Sequence, residues 1–225
     1  MNDKSFVRFG GVAGILLAVT SWASVVAYYA LVPPAQQQPV ADVNAYLASL
    51  AQNPTGTLVF NGLYALIAFW ALFGIVALYY RVRAASERWA FFVALVGITA
   101  SVGTIASGLY QVANLRFVAS IFNSASPDAA LTALNAPSPI NPLGVMTFGL
   151  TGLWFLVSAL LILRTDLPKL LGYLGLVAFA DLAVGFATSV AGNAALSTVA
   201  GLIAGAVGGP IFWLWLGVLL QRTGE

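Results

Sequence analysis

Hydrophobic residues form six long runs along the chain, and shorter polar stretches separate them. A transmembrane α-helix needs about 20 consecutive, mainly apolar residues. Six segments meet this requirement, at about residues 9–31, 57–80, 89–112, 143–163, 170–192 and 197–220. The pattern therefore predicts an all-α, polytopic membrane protein in which residues 1–225 form a single domain of six transmembrane helices.

The Lys and Arg residues indicate how these spans are oriented. They lie before the first span, between the second and third, between the fourth and fifth, and after the sixth: Lys4, Arg8, Arg81, Arg83, Arg88, Arg164, Lys169 and Arg222. Arg116 alone falls on the opposite side. Because loops rich in Lys and Arg stay in the cytoplasm, we predict that both termini are cytoplasmic.

The two long connections lie on the side opposite to the basic residues. Apolar residues recur at helical spacing over residues 41–52 of the first connection, which predicts a short amphipathic helix. In the second, Ser126 is suited to cap a helix that begins with Pro127 and Asp128 and continues over residues 129–134. We expect both short helices to lie on the membrane surface and to form a cap.

Glycines spaced four residues apart give the sixth span a smooth face at Gly201, Gly205 and Gly209. Helices in lipid associate through close packing of such small residues, so this face is predicted to pack against another helix. The first span has the same spacing at Gly10 and Gly14. Pro210 is predicted to interrupt the sixth helix near its middle. We favour an ordinary kinked helix; the alternative is a discontinuous helix that lines a binding site, as in transporters.

One ionisable residue, Asp181, lies near the middle of a predicted span. By helix rise, Ser101, Thr104, Thr151 and the Pro210 region should lie at a similar depth, and together they form a candidate intramembrane polar site. A charge in hydrocarbon is costly, and such residues often have a function, here a proton cycle or a cationic ligand. We favour the other interpretation, a buried carboxyl that is hydrogen-bonded to hydroxyls and to the carbonyls freed by Pro210.

The composition excludes several classes of site. The chain has no Cys and no His, so it has no disulfide framework, no thiol nucleophile, no Cys/His metal site and no haem ligated through histidine. We identify no catalytic, cofactor-binding or metal-binding residue, and we expect no cofactor and no enzymatic activity. With a net charge of +2, nucleic acid is not an expected partner.

Three short motifs resemble a known family. They are Arg-Phe-Gly-Gly-Val-Ala-Gly at residues 8–14, Asn-Pro-Leu-Gly at 141–144 and Gly-Pro-Ile-Phe-Trp-Leu-Trp-Leu-Gly at 209–217. The chain resembles a family of bacterial six-helix membrane proteins that is known only as a domain of unknown function. The resemblance implies the bacterial cytoplasmic (inner) membrane and six helices, and it supplies no activity and no site residues.

Two functions fit these observations. Small-residue faces without catalytic groups favour an accessory or structural subunit whose partners are the lipid bilayer and other membrane protein subunits. The alternative is a small transporter, or a binder of lipid or another apolar ligand, centred on Asp181 with the long loops as its lid. The substitution Asp181→Asn separates the two, because it should abolish transport and leave a structural subunit assembled.

The absence of cysteine makes the predicted orientation directly testable. Single cysteines at Ser86, in the short basic connection, and at Ser126, in the second long connection, should react with a membrane-impermeant maleimide from opposite sides of the membrane. Labelling of both positions from the same side would contradict the predicted arrangement.

Overall fold

The computed structural model describes residues 3–37, 40, 42–124, 126–135 and 139–222, and the regular elements in these ranges are all helices. The α-helices are α1 Asp3–Leu31, α2 Val43–Gln52, α3 Thr55–Val82, α4 Glu87–Ser124, α5 Pro127–Asn135, α6 Thr151–Ile162, α7 Lys169–Val190, α8 Ala194–Ile203 and α9 Gly209–Arg222. Two π-helical segments, Val145–Leu150 and Ala204–Gly208, and two 3₁₀ turns, Pro34–Gln36 and Pro142–Gly144, complete them.

The six predicted spans are confirmed, since six helices in the described residues are long and apolar enough to cross a membrane. The fourth span consists of Val145–Leu150 and α6, and the sixth consists of α8, Ala204–Gly208 and α9. Several helices are longer than the apolar runs: α1 begins at Asp3, and α4 continues to Ser124. Helical hydrogen bonding continues into polar segments, so the apolar runs underestimate the helix lengths.

The six spans form a closed ring in chain order. Each consecutive pair is in contact, and α9 returns to pack against α1. Short connections between α3 and α4, and between α6 and α7, make these pairs antiparallel neighbours. We call the side of the ring with the start of α1 and the end of α9 the basic side, and the opposite side the loop side.

On the basic side, α1 meets its two neighbours through glycines. A Cβ atom at Gly11 would lie 2.7 Å from the carbonyl oxygen of Gly217, and one at Gly217 would lie 2.6 Å from that of Gly11. A Cβ at Gly14 would approach Trp213 O at 3.0 Å, and one at Gly10 would collide with Ala77 of α3. The backbones of α1, α3 and α9 are therefore in direct contact.

Large aromatic side chains fill the centre of the ring next to these contacts. Trp154 and Trp213 stack with ring centroids 5.0 Å apart and an interplanar angle of 4°. Phe155 and Phe212 meet edge to face at 5.1 Å. A Cβ at Gly97 would lie 2.5 Å from Trp154 Cδ1, so this glycine makes room for the indole.

The two short helices on the loop side form a second hydrophobic cluster with the end of α4. The apolar side chains of α2 pack against those of α4 and α5: Tyr46, Leu47, Leu50, Leu115, Val118, Ala119 and Ala130. Burial raises the pKa of the Tyr46 hydroxyl above its ordinary value.

The predicted cap of α5 is confirmed, because Ser126 Oγ accepts from Ala129 N at 3.1 Å. Ala41, the first residue of the other predicted helix, lies outside the described residues, and the membrane-surface position of both helices stays a prediction.

A buried glutamine ties the first long connection to α2 and α3. Gln36 Nε2 donates to Ser49 Oγ at 2.9 Å and to the Asn53 carbonyl at 3.0 Å. Its Oε1 accepts from Thr57 Oγ1 at 2.6 Å. Because both amide hydrogens and the amide oxygen are used, Gln36 fixes the position of the connection over the loop side of the ring.

The sixth span is one continuous helix, and the predicted irregularity next to Pro210 takes the form of a π-helical turn; the discontinuous-helix alternative is wrong. The helix continues through the π-helical turn Ala204–Gly208, in which Gly209 N–H bonds to Ala204 O. Proline lacks the N–H that would normally bond to the carbonyl four residues earlier, which here is that of Ala206. Trp22 Nε1 of α1 donates to Ala206 O at 2.9 Å. An indole from a neighbouring helix thus replaces the missing donor.

Replacing Trp22 with Phe should lower the free energy of unfolding by about 1 kcal/mol, because the Ala206 carbonyl loses its donor in hydrocarbon. Pro210→Ala restores a backbone N–H, so Trp22→Phe should cost less in the Pro210→Ala background. Reversible unfolding in mixed micelles would measure this double-mutant cycle. Trp89→Phe, at an exposed tryptophan that packs on Phe92 of its own helix, is the control. Equal costs for Trp22→Phe in both backgrounds would contradict the assignment.

A candidate ligand-binding cavity within the bundle

A cavity of about 440 Å³ lies inside the ring. It extends from the loop side to the Trp154–Trp213 stack, and all six spans contribute to its wall. Most of the lining is apolar; its larger members are Leu17, Val25, Phe60, Ile67, Ile75, Phe148, Phe155, Leu182 and Leu202. Among the described residues, no Asp, Glu, Lys or Arg lines it.

Four of the five predicted polar-site residues line this cavity. Ser101 and Thr104 face it from α4, Thr151 from α6 and Pro210 from α9. The fifth, Asp181, is not part of the lining. The polar groups in the mainly apolar wall are therefore hydroxyl and amide groups, and no carboxylate of the described residues lines the cavity.

The hydroxyl groups in the wall differ in whether the chain itself satisfies them. Ser21 Oγ donates to Leu17 O at 2.9 Å, and Thr151 Oγ1 donates to Met146 O at 3.0 Å. The hydroxyls of Ser101 and Thr104, by contrast, make no hydrogen bond to any other described residue. Two hydroxyl groups at this depth are thus left for a ligand or for water.

Three polar side chains lie at the loop side of the cavity. Asn141 Oδ1 accepts from Met146 N at 2.8 Å, which fixes the amide, and Asn141 Nδ2 donates to Thr147 Oγ1 at 2.7 Å. Tyr64 of α3 is a neighbour of Thr147. Both Thr147 and Tyr64 line the cavity, so the Asn141–Thr147 bond connects the start of the fourth span to the cavity wall.

The turn that places Asn141 is strained. Leu143 has φ 53° and Gly144 has φ 72°, both in the left-handed region. A bulky residue at positive φ is rare and costs about 1–3 kcal/mol, and such strain is concentrated at functional sites. The π-helical turn Val145–Leu150 follows directly. Tyr64 was not among the predicted site residues; its signal in the sequence is a tyrosine well inside a mainly apolar span.

The glycines of the sixth span face the cavity. Gly201, Gly205 and Gly209 all line it, and a Cβ at Gly205 would meet no atom within 4 Å. At Gly201 the nearest atom would be Phe148 Cζ, at 3.5 Å. Gly10 and Gly14, the corresponding pair of the first span, contact α3 and α9. The two sets of equally spaced glycines thus have different surroundings: Gly10 and Gly14 pack against neighbouring helices, whereas Gly201, Gly205 and Gly209 border the cavity.

Asp181 occupies the boundary between the core and the lipid-facing surface of α7. Val177 and Val184, one turn away on one side, are 62% and 55% exposed, whereas Ala178 and Gly185 on the other side are buried. Asp181 Oδ2 is buried and has no hydrogen-bond partner among the described residues. Asp181 Oδ2 therefore makes no bond to the carbonyl freed by Pro210, which accepts from Trp22.

One family model matches most of the chain. The model of a domain of unknown function, DUF4386, matches residues 12–218. The chain belongs to the DUF4386 family. No curated protein and no solved structure matches the chain. Membership of DUF4386 supplies no activity, so the function is argued from the cavity itself.

Removing the unpartnered carboxyl should stabilise the protein. Asp181→Leu replaces a buried polar group that lacks a partner with an apolar group of similar size, which should raise the free energy of unfolding by about 1–2 kcal/mol. Asp166→Leu is the control: Asp166 forms an exposed pair with Arg81 at 3.4 Å, and such pairs contribute little. A clear loss of stability in Asp181→Leu would mean that the carboxyl has a partner and would contradict this assignment.

Proposed function

We propose that this DUF4386 protein binds a small, uncharged and mainly apolar molecule inside its membrane-spanning ring. The observation that carries the proposal is the cavity of about 440 Å³, whose wall comes from all six spans. Ligand sites are usually concave and largely apolar, with volumes of about 300–1,000 Å³ and a few convergent polar groups. Ser101 and Thr104 provide such groups.

The packing of the glycines favours this function over that of an accessory subunit. The accessory interpretation rested on small-residue faces that were available for a larger complex. Gly10 and Gly14 are occupied by contacts with α3 and α9, and Gly201 and Gly205 border the cavity. The faces that motivated the accessory interpretation are thus directed towards the chain's own interior, which supports the ligand-binding alternative.

The proposed site is centred on the cavity and not on Asp181. The described residues of the wall provide hydroxyl groups, an amide and indole rings, but no acid–base pair. We therefore propose a binding role without catalysis. Binding is the step that storage, sensing and transport of an apolar molecule would share.

Filling the cavity tests the proposal. Gly205→Leu places a side chain in open space within the cavity and should weaken ligand binding at least about tenfold. Gly62→Leu is a matched control, because a Cβ there also meets nothing within 4 Å, yet Gly62 is exposed and outside the cavity. The probe is bromododecane, whose bromine quenches the fluorescence of Trp154 and Trp213 at the cavity wall, with the protein in phospholipid nanodiscs.

Saturable quenching in the wild type and in Gly62→Leu, with loss in Gly205→Leu, would support a binding site in the cavity. Equal quenching in all three proteins would show that the probe acts from the lipid, and it would sink the proposal.

A further inference from the structure

We infer that the ligand is an uncharged amphiphile whose single oxygen group, a hydroxyl or a carbonyl, binds at Tyr64, with its apolar chain directed towards Trp154 and Trp213. The inference rests on the proposed binding function and adds the chemical class and the orientation of the ligand. Three features of the cavity support it: the charge of its wall, the polar side chains at its loop side, and its length.

The charge of the wall excludes ionic ligands. The described residues that line the cavity include no basic or acidic side chain. A carboxylate, phosphate or ammonium group in this space would lose its hydration and find no counter-charge, which costs several kcal/mol or more. An uncharged ligand avoids this cost, and one hydroxyl or carbonyl suffices to use the polar groups that are present.

The polar side chains at the loop side offer a donor to the ligand. The Asn141 amide is fixed by Met146 N, and its Nδ2 donates to Thr147 Oγ1 at 2.7 Å. Tyr64 lines the cavity as a neighbour of Thr147. Its phenolic O–H can donate to a ligand oxygen in the cavity.

The length of the cavity separates the polar end from the apolar end. Tyr64 and Ile75 both line it from α3, and eleven residues of helix place them about 16 Å apart along the axis. Around Ile75 the wall consists of Leu17 and the stacked Trp154 and Trp213. An elongated molecule with one polar end fits this arrangement better than a compact polar one.

Three bromine-labelled probes of equal chain length test the inference in nanodiscs: ω-bromododecanol, bromododecane and ω-bromododecanoate. The wild type should bind the alcohol most tightly and the carboxylate at least about tenfold more weakly. Because the bromine lies at the end opposite to the oxygen, the bound alcohol should quench Trp154 and Trp213 strongly.

Tyr64→Phe retains the ring and removes the hydroxyl. It should weaken binding of ω-bromododecanol about five- to tenfold and leave bromododecane unchanged. Thr147→Val, which breaks the link to Asn141, should reduce the same preference and provides a second variant if Tyr64→Phe folds poorly. Tyr173→Phe, at an exposed tyrosine outside the cavity, is the matched control.

The outcomes separate this inference from the proposed function. Two results would overturn the assigned ligand class: equal weakening of all three probes by Tyr64→Phe, or binding of the carboxylate as tight as that of the alcohol. In either case, loss of binding in Gly205→Leu would still show that the cavity is a binding site. Absence of saturable binding of every probe to the wild type would overturn both.

Discussion

The backbone contact between α1 and α9 determines the shape of the molecule. Helices in a bilayer gain little from hydrophobic burial and depend on close packing, which the Gly11–Gly217 contact provides on the basic side. Towards the loop side, the sixth span passes through its π-helical turn, where Trp22 makes an interhelical hydrogen bond with Ala206 O. Beyond this point Gly205 of the sixth span meets open space and Gly201 borders the cavity, which lies there. The cavity thus forms because α1 and the sixth span are in tight contact on the basic side and separate towards the loop side.

The hydrogen bonding of the polar groups inside the ring also supports a binding site in the cavity. Hydrocarbon offers no hydrogen bonds, so a chain of this kind satisfies its polar groups internally or leaves them for a ligand. Ser21, Thr151 and the Ala206 carbonyl have partners within the chain, whereas Ser101 and Thr104 have none among the described residues and border the cavity. Asp181 Oδ2 also lacks a partner, but it lies outside the cavity and has no role in the proposed binding.

The lengths of the apolar runs were sufficient to predict the six spans, because the length of an apolar run decides whether a helix crosses the membrane. Depth along the helices also placed Ser101, Thr104, Thr151 and Pro210 at one site. The sequence could not show which face of α7 Asp181 occupies, because that depends on how the ring closes. Nor could it show that an indole from α1 replaces the donor missing at Pro210, or that Tyr64 and Thr147 line the same cavity, since these arrangements bring distant segments together.

The central claim is that the ring holds an uncharged amphiphile in its cavity. Native mass spectrometry of the protein, purified in nanodiscs without added ligand and released in the gas phase, tests it most directly. We expect one bound molecule per chain, uncharged and with a single hydroxyl or carbonyl oxygen, which is absent from the Gly205→Leu variant. A bound molecule that is anionic, one that persists unchanged in Gly205→Leu, or a chain that never retains a small molecule would contradict the account.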